Sequence, residues 1–430
     1  MFMKFYSLFD LIDYKRQEYG HTEKEMYDFF RKRKVKKSDI VFYKDSCAIS
    51  QSKKLMSAVV EYTGMSKLEV YLAMGIVPEE YKSDFFDNIH EISKLLEVKN
   101  STNETEDVRM DTFFETSLGK LYNADCLKVL ATIEDESVDT VFADPPFNLK
   151  KVYDEGINDS LSTTQYIEWC YKWIEECIRI LKPGGSLFIY NIPKWTIVFS
   201  EFLNKRMTLR SWIAVDMKFS LPISGRLYPA HYGLLYYVKG EKPNTFNNQR
   251  IPLMTCRHCG GEIKDYGGYK NKMNPKGVNV SDVWTDIYPV RHKSQKNREY
   301  NELSIKMLDR IISMSTKQGD IVFDPFGGSG TTYVVAEMLG RRWIGSELGN
   351  CKIISDRFAN IEKYNAIFAK VCEEKNVLFT ENVKELRKRN GFWLSEDFGD
   401  VLMTSVRITS RKSLPKNARK KRSMQKRLVS

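Results

Sequence analysis

Four consecutive residues at the end of a predicted strand could bind and activate a planar amine. The stretch "VFADPPFNLK", residues 141–150, places Asp144, Pro145, Pro146 and Phe147 directly after a run of apolar strand-forming residues. Two prolines restrict the backbone and Pro146 has no amide hydrogen, so Asp144 and the Pro145 carbonyl would be held as two hydrogen-bond acceptors. Two fixed acceptors suit an amine that gives both hydrogens away, and Phe147 offers a flat face on which a base can stack. A proline-rich strand end with Asp144 as a cap is the purely structural alternative.

A second corner, far downstream, could hold a ligand by its backbone. In "IVFDPFGGSGTT", residues 321–332, Gly327, Gly328 and Gly330 let the chain turn tightly and approach a ligand closely before a helix begins. Glu347 closes the next predicted strand 17 residues after Gly330, about where a ribose-binding acid stands in dinucleotide folds. A nicotinamide-dependent dehydrogenase would explain the glycine turn and Glu347, but it would leave the first corner without a role.

The elements that must position both corners alternate between strand and helix. "SVDTVFADPPF" predicts a strand that ends in a loop, and "QYIEWCYKWIEECIRIL" has its apolar residues on one helical face. "KPGG" at 182–185 is expected to end that helix, and "SLFIYN" to begin the next strand at Ser186. "DIVFDPF", the glycine-rich turn, a helix through Leu339 and "RRWIGSEL" predict a strand, helix, strand unit. This alternation predicts an α/β fold with a mostly parallel sheet and helices on both faces. Ligands bind such sheets beyond the carboxyl ends of the strands, where both corners lie.

Residues from about 118 to 360 resemble the amino-methylating DNA methyltransferases that use S-adenosylmethionine. The resemblance rests on "DPPF" together with "DPFGGSGTT", and the order of the two, with DPPF first, is that of the beta group of this family. It implies a Rossmann-like methyltransferase fold with a mostly parallel seven-stranded sheet. Helical periodicity in the residues before it predicts a small helical N-terminal domain. It also implies that one base is flipped out of the duplex into the space between the corners.

The same resemblance assigns roles to individual residues. Asp144, Pro145, Pro146 and Phe147 would form the catalytic site, with no metal ion. Lys306 is followed by Met307, where the family usually has proline, so this position departs from the pattern. The residues that the resemblance places at S-adenosylmethionine are Asp125 in "LYNADCLKVL", Asp324, Phe326, Gly327, Gly328, Gly330, Thr331, Glu347 and Lys306.

The target and the partners are also implied by the resemblance. An aspartate at the first motif position, here Asp144, is typical of enzymes that methylate the N6 amine of adenine, and cytosine N4 is the alternative. The partner would be double-stranded DNA, with a cognate restriction endonuclease and a homodimer as further expectations. A non-catalytic DNA-binding protein and an RNA adenine substrate stay open, whereas enzymes that methylate protein glutamine have asparagine where Asp144 stands.

Composition shifts divide the chain into segments. "KLMSAVVEYTGMSKLEVYLAMG" predicts two short helices about Gly64, with Ser66 as the cap of the second, which resembles a helix-turn-helix. The stretch between about Asn244 and Tyr300 interrupts the alternation of strands and helices. It is rich in Asn, Lys, Gly and aromatic residues, as expected of a recognition surface. The predicted segments are a helical N-terminal domain (1–97), a linker (98–115), the catalytic half (116–243), a target-recognition insertion (244–300), the cofactor-binding half (301–372), a C-terminal extension (373–404) and a basic, disordered tail (405–430).

Charge and cysteine usage limit which partners and which cellular compartment are expected. The net charge is +11, and residues 405–430 hold ten Lys or Arg and no acid, which favours salt-dependent attraction to phosphates over a merely solubilising end. The eight cysteines show no disulfide framework, as expected in a reducing compartment. Cys256 and Cys259 form a CxxC without a second pair, which favours a plain loop over zinc. No signal or membrane-spanning pattern is present, so a cytoplasmic protein is expected.

Overall fold

The computed structural model describes most of the chain, which divides into two compact units. The first unit comprises Met1–Asn247 and Asp282–Tyr364, and the second comprises Asn248–Ser281 and Asn365–Ser430. Both units therefore combine segments that are separated in the sequence. The described residues are 5–45, 50, 52–77, 81–88, 110–149, 161–218, 224–225, 227–256, 258–261, 273–288, 302–394 and 396.

The N-terminal region of the first unit is helical, and a buried cluster that includes Leu11, Phe30 and Val59 forms its core. Two of its helices lie about Gly64, which has φ +66°, a conformation that favours glycine. Ser66 caps the second of them, as the sequence predicts, and its Oγ accepts a hydrogen bond from the Glu69 amide. The helices of this region are α1 (Leu8–Glu18), α2 (Glu23–Lys32), α3 (Lys37–Val41), α4 (Lys53–Thr63), α5 (Lys67–Ala73) and α6 (Lys82–Asp87).

A mixed sheet forms the centre of the first unit, and a short two-stranded sheet lies in the second. The strands are β1 (Phe114–Glu115), β2 (Gly119–Tyr122), β3 (Val138–Ala143), β4 (Leu181–Asn191), β5 (Thr208–Asp216), β6 (His231–Val238), β7 (Arg250–Ile251), β8 (Val278–Asn279), β9 (Val283–Trp284), β10 (Ile321–Asp324) and β11 (Arg342–Ser346). The order in the central sheet is β1-β2-β11-β10-β3-β4-β6-β5-β9, and β7 pairs with β8. From β2 to β4 all neighbours are parallel, whereas β6 runs antiparallel to both β4 and β5.

The predicted α/β fold class is confirmed, with a sheet that is slightly larger than expected. Seven strands, from β2 to β5 in sheet order, form the predicted Rossmann-like sheet. Strands β1 and β9, of two residues each, extend its two edges. Such short pairings leave no periodic signal in a sequence, because period-two alternation needs at least four residues to be recognised.

Helices cover the sheet and bury large side chains such as Trp173, Phe199 and Tyr333. The helices that follow the N-terminal region are α7 (Cys126–Ala131), α8 (Thr163–Ile180), α9 (Pro193–Leu203), α10 (Ile305–Ser315), α11 (Thr331–Met338), α12 (Lys352–Ala359), α13 (Glu362–Glu373) and α14 (Glu381–Arg389). Among the described residues, no helix is both long and apolar enough to cross a membrane.

The segment "KPGG" at 182–185 differs from its predicted role. We expected it to separate a helix from a strand that begins at Ser186, but β4 already begins at Leu181. The register against β3 shifts here, because Val138 pairs with Leu181 while Thr140 pairs with Ser186. Gly184, with φ +78°, accommodates the extra residues of this bulge within the strand.

The segment boundaries of the sequence analysis differ from the two structural units. The insertion predicted at 244–300 is represented in the second unit by residues 248–281, whereas residues 282–288 join the first unit through β9, which pairs with β5. The C-terminal part of the second unit begins at Asn365, before the predicted extension. The predictions for residues 98–109, 289–301 and 397–430 lie outside the described residues.

Candidate active site

The two corners lie next to each other at one edge of the sheet. Strands β3 and β10 are parallel neighbours, and Val141 pairs with Phe323. Asp144 follows the last residue of β3, and Asp324 is the last residue of β10. The carboxyl ends of two adjacent parallel strands thus bring together DPPF and the glycine-rich turn, which are about 180 residues apart in the sequence.

The neighbouring strands add further acids to this edge. Strand β11 lies between β10 and β2, and its end is followed by Glu347. Asp125 lies just after β2 and caps α7, where its Oδ1 accepts a hydrogen bond from the Leu127 amide at 2.9 Å. Asp125, Glu347, Asp324 and Asp144 therefore follow four consecutive strands of the sheet.

Two buried aromatic side chains hold the DPPF loop by its carbonyl groups. The Tyr166 hydroxyl donates to the Pro146 carbonyl at 2.5 Å, and Trp195 Nε1 donates to the Phe147 carbonyl at 2.8 Å. Their rings pack together, with centroids 4.6 Å apart. The sequence predicts Tyr166 only as part of the apolar face of a helix and assigns no role to Trp195. The available signal was that the polar atoms of buried Tyr and Trp need hydrogen-bond partners.

Three aromatic rings form a wall beside Asp144. The centroid of Phe147 lies 5.8 Å from that of Tyr232 and 6.4 Å from that of Tyr190, and the two tyrosine rings are 4.9 Å apart. Burial raises the pKa of the Tyr190 and Tyr232 phenols, and the Asp144 carboxylate acts in the same direction. Both tyrosines are therefore neutral at physiological pH and lie within electrostatic reach of Asp144. Tyr190 was not predicted from the sequence.

The glycine-rich turn is held by Asp324, whose carboxylate is buried. Its Oδ1 accepts from the Phe326 amide at 2.9 Å and its Oδ2 accepts from the Thr332 hydroxyl at 2.5 Å. Burial raises the Asp324 pKa well above its usual range, and the charges of Asp144 and Glu347 contribute in the same direction. Asp324 thus fixes the turn from inside, and its predicted contact with a cofactor stays a prediction.

Glu347 bonds to the turn from the other side. Its Oε2 accepts from the Gly328 amide at 2.5 Å and its Oε1 accepts from the Gly349 amide at 2.8 Å. Gly327 and Gly330 have little room for a side chain, since a Cβ at Gly327 would lie 2.7 Å from the Tyr333 hydroxyl and one at Gly330 would lie 2.7 Å from Ile354 Cγ2. The turn is therefore closely packed on its inner side.

The remaining predicted cofactor residues have different surroundings. Phe326 packs against Trp173 and Trp169 of α8, at centroid distances of 5.2 and 5.7 Å. Thr331 is buried, and its Oγ1 accepts from Arg357 Nη1 at 2.8 Å. The roles of Phe326 and Thr331 at a cofactor stay predictions.

Lys306 lies in a cluster of charged residues. Its Nζ is 3.1 Å from Asp286 Oδ2, and Arg310 donates to both oxygens of the same carboxylate. Burial alone would raise the pKa of Asp286, but the hydrogen bond and charge of Arg310, with Lys306, lower it below its usual value. The predicted contact of Lys306 with a cofactor also stays a prediction.

The CxxC segment contributes two cysteines to the second unit. Among the described residues, no group of three His, Cys, Asp or Glu side chains is arranged to hold a metal ion. Cys256 and Cys259 are both free thiols.

Comparisons with known proteins identify the family of this chain. Residues 138–356, about half of the chain, match the N6_N4_Mtase family of DNA methylases. The chain is 58% identical over 399 residues to the type II methyltransferase M.BamHI of Bacillus amyloliquefaciens, covering 92% of this chain and 94% of that protein. It is 33% identical over 247 residues to the DNA adenine methyltransferase YhdJ of Escherichia coli (strain K12), covering 56% of this chain and 81% of that protein.

Two solved structures are also similar. PvuII DNA methyltransferase (cytosine-N4-specific) has a TM-score of 0.43 and 19% identity, covering 62% of this chain and 96% of that chain. M1.HpyAVI in its complex with SAM has a TM-score of 0.38 and 20% identity, covering 56% of this chain and 99% of that chain.

The chain belongs to the N6_N4_Mtase family of DNA methylases. It is a DNA methyltransferase, as the resemblance in the sequence implied. This identification excludes the nicotinamide-dependent dehydrogenase and the non-catalytic DNA-binding protein.

Proposed function

We propose that this chain transfers the methyl group of S-adenosylmethionine to the N6 amine of an adenine that is flipped out of duplex DNA. The observation that carries the proposal is the adjacency of β3 and β10, which brings the DPPF loop and the glycine-rich turn to one edge of the sheet. Asp144 at the first motif position and the similarity to an enzyme named an adenine methyltransferase support adenine as the target.

The residues at this edge fit S-adenosylmethionine. Asp125, Asp144 and Glu347 lie at the ends of strands on this edge, and this excess of acidic groups favours a cationic ligand. When bound, S-adenosylmethionine supplies an electrophilic methyl group on a positively charged sulfur. Asp125 and Glu347 would accept hydrogen bonds from its hydroxyl and amino groups, and the backbone of Gly327 and Gly328 would line its methionine part.

The residues of the DPPF loop would prepare the amine. Asp144 and the Pro145 carbonyl accept its two hydrogens, which reduces the conjugation of the nitrogen lone pair with the ring. Phe147 stacks on the flipped base, with Tyr190 and Tyr232 beside it. Holding two reactants in line supplies roughly 7–11 kcal/mol in well-oriented cases. Tyr166 and Trp195 contribute by fixing the loop that carries the acceptors.

The target base is tested by transfer of labelled methyl from S-adenosylmethionine to unmethylated duplex DNA, followed by digestion to nucleosides and their separation. Label in N6-methyladenosine is the expected result. Label in N4-methylcytosine would overturn the choice of adenine and keep the two-acceptor mechanism, because cytosine also presents an exocyclic amine beside a ring nitrogen. Absence of label from DNA, with the label found instead in RNA or protein, would contradict the proposal.

A cognate restriction endonuclease is the second part of the proposal, supported by the similarity to type II methyltransferases. Plasmid DNA modified by this chain should resist one member of a panel of restriction endonucleases, and should stay sensitive to the others. If every enzyme that cuts the unmodified plasmid also cuts the modified plasmid, this chain shares its recognition site with no enzyme of the panel. The expected homodimer is tested by light scattering of the full chain in solution.

A further inference from the structure

The second unit joins two segments that are about 100 residues apart in the sequence. The Leu253 amide donates to the Leu378 carbonyl, and the Leu378 amide donates to the Pro275 carbonyl, both at 2.9 Å. The Asn376 amide donates to the carbonyl of Arg250 in β7 at 3.2 Å. The C-terminal segment thus bonds by its backbone to both ends of the insertion.

Gly277 shows how closely the two segments pack. Its φ is +100°, and a Cβ at this position would lie 2.5 Å from the Ile251 carbonyl oxygen and 2.7 Å from the Val377 carbonyl oxygen. Only glycine fits between these two backbones without displacement.

Arg387 of α14 connects the C-terminal segment to the insertion at a second place. Its side chain is fully buried, and its Nη1 donates to the Gly260 and Gly261 carbonyls, each at 2.7 Å. Its Nε and Nη2 donate to the Trp393 carbonyl at 3.0 and 2.9 Å, and the guanidinium lies 4.5 Å from the centre of the Phe379 ring. A buried cation needs such partners, so the contacts of Arg387 with the CxxC loop are structural requirements of the unit.

The positive charge of the molecule lies in this unit. Residues 248–281 and 365–430 hold 22 of the 67 Lys and Arg and 9 of the 56 Asp and Glu, a net charge of +13, of which residues 405–430 contribute +10. The first unit therefore has a net charge of −2, although it contains the candidate active site. Residues 248–281 and 365–396 by themselves hold 12 Lys and Arg and 7 Asp and Glu, a net charge of +5, so they attract DNA phosphates independently of the tail.

We propose that the second unit is a composite DNA-binding module in which residues 365–396 are a structural half, equal in importance to the insertion at 248–281. The partner is the phosphate backbone of duplex DNA, and the proposal rests on the DNA methyltransferase function. Exposed cations of both halves, Lys276 from the insertion and Lys388 and Arg389 from α14, bind phosphates. Arg387 holds α14 against the insertion, so that both sets of cations belong to one surface.

The charge test compares two triple variants of the full chain. Lys276→Gln with Lys388→Gln and Arg389→Gln should weaken binding of a short fluorescent duplex of mixed sequence and lower the salt slope of log K by up to about 3, since each phosphate contact contributes about 0.9. The control, Lys24→Gln with Lys32→Gln and Lys172→Gln, removes the same charge from exposed positions of the first unit. It should leave the slope unchanged. Equal slopes for both variants would overturn the proposal.

The contact between α14 and the insertion is tested by two variants. Arg387→Met changes the residue in α14, and Gly260→Ala changes the residue that it contacts in the insertion. Gly260 has φ +69°, and a Cβ there would lie 2.7 Å from Arg387 Cγ, so both changes disturb the same contact. We expect DNA binding to fall at least tenfold in both, with the affinity for S-adenosylmethionine retained as proof of a folded first unit. DNA binding at the level of the unchanged chain in both variants would show that the C-terminal segment is not part of the module.

The outcomes separate this proposal from the proposed function. Failure of the unchanged chain to methylate DNA would contradict the function itself. Normal methylation by the unchanged chain, together with identical behaviour of the two triple variants, would contradict only the composite module.

Discussion

At the scale of single residues, the site depends on a few acceptors whose directions are set by the backbone. Asp144 follows a buried strand, and the two prolines after it restrict the loop. Tyr166 and Trp195 then fix the Pro146 and Phe147 carbonyls. The loop is thereby held before any substrate binds, which is the condition for catalysis by positioning.

Asp144→Ala should reduce methyl transfer by about 100-fold or more, because it removes one of the two acceptors of the amine hydrogens. The affinity for S-adenosylmethionine should stay within about twofold, since the residues assigned to the cofactor follow other strands. Single-turnover transfer and calorimetric titration of the cofactor measure the two effects. Loss of cofactor binding in Asp144→Ala would mean that the two corners have been assigned the wrong roles.

Tyr166→Phe should lower kcat about tenfold with little change in cofactor affinity, because the Pro146 carbonyl loses its donor and the loop loses its fixed position. The matched control is Tyr171→Phe on the same helix, whose hydroxyl donates to the Val198 carbonyl of α9 at 3.3 Å. The comparison is made by steady-state kinetics on unmethylated DNA. Equal kcat values for the two variants would contradict a positioning role for Tyr166.

At the scale of elements, helix α8 links the N-terminal region to the DPPF loop. The Thr164 amide and hydroxyl both donate to Asp10 Oδ2 at 2.9 Å, and the Tyr6 amide donates to Thr164 Oγ1 at 2.9 Å. Two residues further along α8 lies Tyr166, which holds the loop. The N-terminal region thus fixes the beginning of α8, the helix that positions the catalytic loop.

Asp10→Ala should destabilise the first unit by about 1–2 kcal/mol, because two donors at the N-terminus of α8 lose their acceptor. Asp13→Ala on the same helix is the control, since Asp13 pairs with the partly exposed Arg16 within α1. Its effect should stay within about 0.5 kcal/mol. Urea unfolding of the full chain measures both, and equal midpoints for the two variants would exclude the link through Asp10.

The Asp286 cluster, which joins the segment after β9 to α10, predicts a pH dependence of stability. The folded state lowers the Asp286 pKa below its ordinary value of 3.8, so the carboxylate stabilises the fold above that value. This contribution is lost as the pH falls through the folded-state pKa. Asp286→Asn should therefore cost about 2 kcal/mol near pH 7 and progressively less in acid. A difference in unfolding free energy that is independent of pH would contradict this assignment.

At the scale of the whole molecule, catalysis and attraction to DNA are divided between two units of opposite net charge. The first unit contains both corners and has a net charge of −2, and the second has +13. Ten of the cations of the second unit lie in residues 405–430. This division predicts that changes in the second unit alter DNA affinity more than the chemical step.

Truncation after residue 404 should lower DNA affinity and reduce its salt dependence, because ten cations are removed while both corners are kept. The methylated base and the single-turnover rate at saturating DNA should not change. Fluorescence anisotropy over a range of salt concentrations tests the affinity. An unchanged salt slope, together with lower solubility of the truncated chain, would identify the tail as a solubilising terminus.

The sequence alone determined the fold class, both corners and the two helices about Gly64. Each of these depends on neighbours in the chain: an apolar run followed by DPPF, a glycine turn followed by a helix, and a capping serine before Glu69. Local patterns of this kind survive in a sequence because the interactions that produce them span only a few residues.

Only the tertiary structure decided which distant residues support these motifs. Tyr166 lies 20 residues from Pro146, Trp195 lies 48 residues from Phe147, and Asp10 lies 154 residues from Thr164. The union of residues 248–281 with 365–396 depends on backbone hydrogen bonds and one buried arginine, none of which has a period or spacing in the sequence. Such pairings form because folding brings the partners together. In the sequence, the tyrosines, tryptophans and glycines involved have no local pattern that marks them as partners.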